Sequence, residues 1–111
     1  MQKSTAVSAL AALIALMALL VMHGNANAAD AQVKIANFTF EPAMLTVKVG
    51  TTVIWVNDDD IPHLMSEKDG KFRSSALDTG DKFSQTFSAA GTVEYFCAIH
   101  PHMTGKIVVE P

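Results

Sequence analysis

Past residue 28, no stretch of this chain spaces its apolar residues at a helical period. Glycine, proline and acidic turn residues cut it into short runs, and runs of that length with alternating or continuous apolar character read as strands. Val33-Lys34-Ile35 opens the series, and Phe38-Thr39-Phe40 alternates up to the break at Glu41-Pro42. Leu45, Val47 and Val49 alternate up to Gly50, which turns the chain into Thr52–Val56. That run is apolar on both faces, as a central strand packed on each side requires. Asp69-Gly70 predicts a turn, because both residue types tolerate positive φ. Phe83, Gln85 and Phe87 share a face, Ala90-Gly91 turns the chain into Thr92–Phe96, and Gly105 leads into a last strand over Lys106–Val109. About seven or eight short strands at this spacing predict an all-β, two-sheet antiparallel sandwich. Phe38, Phe40, Trp55, Phe83, Phe87 and Tyr95 supply the aromatic filling between the sheets.

The segment ahead of these runs differs in kind. Ala6–Met22 carries no charge, Lys3 precedes it, and Ala26-Asn27-Ala28-Ala29 lies beyond it. A cationic start, an apolar run too short for a comfortable membrane span and an A-x-A site predict a secretory signal over residues 1–28. Residues 29–111 then form one domain, periplasmic or otherwise exported, with no membrane insertion of the mature chain. The full chain has 8 Lys+Arg against 11 Asp+Glu, a formal charge of −3, and the only base in the leader is Lys3. An acidic domain lacks the basic footprint that nucleic acid or anionic lipid would need.

A small exported domain is often stapled by disulfides, yet this one has a single cysteine, Cys97. Its surroundings, Tyr95-Phe96-Cys97-Ala98-Ile99-His100-Pro101-His102-Met103, carry the chemistry. Cys97, His100 and Met103 are spaced three apart, but Pro101 and the preceding strand formers make the segment a loop rather than a helix. Alternation puts Val93, Tyr95 and Cys97 on the apolar face of their strand. Thiolate, imidazole and thioether are soft donors that suit Cu(I), and two imidazoles with one thiolate also accept Cu(II). The second imidazole comes from elsewhere. His63 is the candidate, since His23 leaves with the leader and His102 points away when its neighbours converge. Pro62 restricts Ile61 to extended backbone and so fixes the approach to His63. Two imidazoles and a thiolate with a weak axial methionine match the donor pattern known for blue-copper electron-transfer sites.

At these residues the sequence resembles the cupredoxins, most closely the amicyanin-like and plastocyanin-like small blue copper proteins. The resemblance rests on Phe38-x-Phe40, Val47-Lys48-Val49-Gly50, Thr52-Val53-Ile54-Trp55-Val56-Asn57, Pro62-His63 and Cys97-x-x-His100-x-x-Met103. It implies a Greek-key sandwich holding one type 1 copper ion, with His63, Cys97 and His100 equatorial and Met103 axial. It also implies a monomeric carrier of single electrons, not an enzyme, with a dehydrogenase as donor and a c-type cytochrome as acceptor. Leu64 stands where the family often has a polar residue that ties the ligand loops together. Ile99 and His102 replace a proline and an aromatic residue.

Other readings share some of these features. A cysteine hydrolase needs a third orienting group and a substrate cleft, and a structural zinc site prefers four strong donors. A periplasmic copper carrier or store that delivers Cu(I) uses the same donors as an electron shuttle, and stands as the alternative. Asp58-Asp59-Asp60 reads as a solvated loop with the charge to dock a basic partner. Met44 and Met65 read as packing residues.

Overall fold

The computed structural model describes residues 30–111, so the expected leader over residues 1–28 lies outside the described residues. Eight strands run in order: β1 (Asp30–Ala36), β2 (Thr39–Glu41), β3 (Met44–Lys48), β4 (Thr52–Asn57), β5 (Met65–Glu67), β6 (Lys82–Thr86), β7 (Gly91–Cys97) and β8 (Thr104–Glu110). They form two four-stranded sheets, ordered β2-β1-β4-β6 and β3-β8-β7-β5. The expected sandwich is there, but it is not antiparallel throughout. Strands β1 and β4 pair in parallel, as do β3 and β8. The cause is connectivity: the chain passes from the first sheet to the second between β2 and β3 and returns for β4. Neighbours in one sheet are thereby joined by a crossover, and a crossover permits parallel pairing where a hairpin does not.

The inner faces follow the alternation of the sequence. Val33, Ile35, Phe40, Val53 and Trp55 come from the first sheet, and Val47, Tyr95, Cys97, Ile107 and Val109 from the second. Trp55 is the hub, with ring centroids of Tyr95, Phe83, Phe72 and Phe87 at 5.3, 5.7, 6.1 and 6.4 Å. Phe72, from the loop after β5, takes a place expected for Phe38. Phe38 is 53% exposed, because it sits in the turn between β1 and β2. Met65 is fully buried as expected, whereas Met44 lies on the surface.

Tyr95 gives this core a spectroscopic handle, being the only tyrosine in the chain. Burial pushes its phenol up to about 12, and the nearby Trp55 indole offsets this only slightly. Neither the Tyr95 hydroxyl nor Trp55 Nε1 has a well-formed hydrogen-bond partner. Because the folded pKa is raised above the ordinary value of 10.0, the associated stability is complete below pH 10 and is lost as pH climbs toward 12. Two pKa units correspond to about 3 kcal/mol. Ultraviolet titration should therefore show no phenolate until well above pH 10, with phenolate and unfolding arriving together. An ordinary titration near pH 10 in folded protein would contradict this packing.

Candidate metal centre

Strand β4 ends at Asn57, and that residue organises the loop after it. It is fully buried, and its Nδ2 donates to the carbonyls of Ile61 at 2.9 Å and Leu77 at 2.8 Å. Its Oδ1 accepts the Asp59 amide at 2.9 Å. One side chain thus closes the 58–62 loop and delivers His63 inward, where the His63 N–H and C=O both bond the Leu77 backbone, at 3.1 and 2.7 Å. The His63 ring is completely buried.

Strand β7, from the other sheet, ends at the same pole with Cys97 facing the core opposite Met65. The chain then turns tightly. His100 N donates to the Cys97 carbonyl at 3.2 Å, Met103 N to the His100 carbonyl at 2.9 Å, and Cys97 N to the Met103 carbonyl at 3.0 Å. This loop returns His100 beside Cys97, leaves Ile99, Pro101 and His102 exposed, and buries Met103 in the core cluster. The absent polar side chain at Leu64 is replaced by backbone. Leu64 N lies 3.5 Å from Cys97 Sγ, and the Leu64 carbonyl accepts Ala98 N at 2.8 Å.

His63 Nδ1 and His100 Nδ1 stand 3.6 and 3.7 Å from Cys97 Sγ. All three donor atoms lie within 4.8 Å of one another. Such spacings are those of donors each about 2.0–2.3 Å from one first-row metal ion. Two imidazoles and a buried thiol, with a thioether close by in sequence, fit copper better than the hard oxygen-seeking ions. His102 is exposed and outside the group.

Sequence reasoning misses the support of this group. Asp59 is not a solvated loop residue. Its Oδ2 lies 2.7 Å from His63 Nε2, while Oδ1 accepts Asn37 N at 2.8 Å and Oδ2 accepts Phe38 N at 3.0 Å. Partial burial works against its ionisation, but the Phe38 amide, the His63 ring and the Asn37 amide outweigh that and hold the carboxyl below its ordinary range. A carboxylate can only accept, so this contact calls for a proton on His63 Nε2, the ring nitrogen turned away from Cys97. The Asp59–His63 spacing of four is the signal available, and the neighbouring aspartates mask it.

Comparison with known proteins gives one direction. Residues 9–109 match the family of the Cupredoxin-like domain. Amicyanin-alpha of Methylorubrum extorquens is 36% identical over 90 residues, spanning 77% of this chain and 76% of that protein. Amicyanin of Paracoccus denitrificans is 41% identical over 83 residues, spanning 70% of this chain and 63% of that one. Among solved structures, the purple cupredoxin of Nitrosopumilus maritimus superposes with a TM-score of 0.68 at 37% identity, covering 73% of this chain and all of that one.

Proposed function

This chain belongs to the cupredoxin-like family, and from that premise we propose that it is a small blue copper protein carrying single electrons between redox partners. In this reading His63, Cys97 and His100 would hold one copper ion, with the Met103 thioether as a weaker fourth donor. The observation that carries it is the convergence of two imidazole nitrogens and one thiol sulfur at a single pole of the sandwich. Copper, when bound, supplies a one-electron Cu(II)/Cu(I) couple.

The residues themselves do the rest. Cys97 ends β7, His63 sits in the connection from β4 to β5 held by its bridge to Leu77, and both are fully buried, so neither moves without disturbing the core. Leu64 N–H points its dipole at the sulfur and helps hold it in place. A donor set fixed in this way is not free to rearrange when an electron arrives, which keeps transfer fast. His100 is the half-buried member and forms the edge nearest solvent. Pro62, Ile99 and Pro101, all exposed, surround that edge with apolar surface. A patch this small supports brief, weak contacts of the kind redox partners make. The role is that of a carrier rather than an enzyme. The partners are redox proteins, with a dehydrogenase donor and a c-type cytochrome acceptor as the finer assignment. Replacing Ile99 by Lys should slow transfer to a physiological partner about tenfold, and an unchanged bimolecular rate would place the contact elsewhere.

Residues 1–28 are, in the same reading, an export signal, and residues 29–111 work in the periplasm or outside the cell. Among the described residues no helix is long and apolar enough to cross a membrane. The test of the whole is colour. Protein loaded with Cu(II) should show an intense visible band from the thiolate–copper bond, at one copper per chain. A complex with only weak ligand-field absorption would contradict the ligand set.

A further inference from the structure

The turn between β1 and β2 breaks a local rule. Ala36 pairs with Thr39, so Asn37 and Phe38 form a two-residue hairpin loop, and both have positive φ, 51° and 59°. Turns of this kind strongly prefer Asn-Gly, because the second position disfavours a Cβ. Asn37 suits its place. Phe38 does not, since a bulky residue in the left-handed region is strained by about 1–2 kcal/mol. Nor does Phe38 contribute to the core, being 53% exposed.

The strained pair is held from outside the hairpin. Asn37 N–H and Phe38 N–H both end on the Asp59 carboxylate, the same group that receives His63 Nε2. Asp59 is itself pinned at both backbone ends, its amide to Asn57 Oδ1 and its carbonyl to the Thr79 hydroxyl. So held, the Phe38 ring stands nearly perpendicular to both imidazoles, with centroids 5.1 Å from His100 and 6.0 Å from His63.

We propose that Asp59 is a positioning residue of the metal centre, which with one carboxylate sets the nitrogen that His63 presents and holds Phe38 as a shield over the paired imidazoles. The proposal rests on the ligand assignment above, but its first half concerns the protein without metal. Asp59 keeps the proton on His63 Nε2, so the donor nitrogen is ready before any ion arrives. Phe38 covers the imidazole pair with hydrocarbon and slows the approach of water and competing chelators. A residue that strains its turn and adds nothing to the core has a reason to be there if it protects the site.

Nitrogen-resolved NMR of the metal-free protein, at mildly alkaline pH, tests the first half without any variant. A His63 ring protonated on Nε2, with a strongly hydrogen-bonded proton, is the expected result; protonation on Nδ1 would overturn the proposal. In Asp59→Asn the ring should lose that preference and copper affinity should fall about 10–100-fold, with Asp59→Glu recovering part of both. If Asp59→Asn keeps the wild-type tautomer and affinity, Asp59 has no positioning role. For the shield, Phe38→Gly relieves the turn, so its thermal midpoint should match or exceed wild type. Extraction of copper by a Cu(I) chelator from that same stable variant should run at least tenfold faster. Extraction at the wild-type rate would overturn the shielding role. Should the chain fail to bind copper at all, the ligand reading falls, while the His63 tautomer still decides what Asp59 does.

Discussion

Alanine at Gly105 should destabilise the fold by about 3 kcal/mol, at the upper end of the overpacking range. Gly105 lies directly across from Tyr95 in the β7–β8 register. A Cβ built there falls within the Tyr95 ring, overlapping Cζ, Cε1 and the hydroxyl oxygen. The ring has nowhere to go, since it is buried with Phe40 at 4.7 Å on one side and Trp55 at 5.3 Å on another. The glycine is therefore kept for space, and its missing side chain is what lets a large aromatic lie flat over the neighbouring strand. Denaturant unfolding of the metal-free protein should show a lower midpoint with an unchanged slope. Wild-type stability in this variant would mean that the Tyr95 layer is packed otherwise. Two residues further along the same face lies Cys97, so the layer that Gly105 makes room for also supports the metal centre.

Serine at Cys97 should remove the intense visible band completely, the largest functional effect of any single change here. Sulfur is the soft, polarisable donor of the set, and a serine hydroxyl at the same place is a hard, weakly acidic one. Copper affinity should fall with the colour, while the fold survives, since the substitution barely changes volume. Replacing Met103 by Leu should instead leave colour and shift the reduction potential, because a weak thioether donor would tune the couple without creating the band. Absorption spectra of the two copper-loaded variants check both outcomes. Equal loss of colour in each would make Met103 a principal donor.

Much of the fold and three donors of the centre are legible in residue order. Alternation at Leu45–Val49 and Phe83–Phe87, and the continuous apolar run of Thr52–Val56, predict strands close to those observed. Strand β5 is not legible, because Met65-Ser66-Glu67 has neither alternation nor β-branching, and all three residues are buried. Their support exists only in the folded chain, where Glu67 Oε2 accepts the amides of Asp69 and Lys71. The backbone flanking Ser66 bridges to the Arg73 segment, Glu67 N donating to the Phe72 carbonyl and Ser74 N to the Met65 carbonyl. The parallel pairs are equally hidden, because strand spacing fixes number and length, not which sheet a connection enters. Cys97, His63 and His100 stand out by chemistry and order. Their supports do not, since Asn57, Asp59 and Phe38 act through loop geometry that no local pattern encodes. Hydrophobicity alone assigns Phe38 to the core, and the turn it occupies sends it to the surface beside His100.

An electron carrier must take up and release one electron while its metal stays in place, and a copper carrier must let the metal go. Voltammetry of the copper-loaded protein, with copper per chain measured after repeated cycles in the presence of a Cu(I) chelator, separates the two. A reversible one-electron wave with one copper retained per chain is the predicted result. An irreversible wave, or loss of copper to the chelator on first reduction, would contradict electron transfer as the function of this centre.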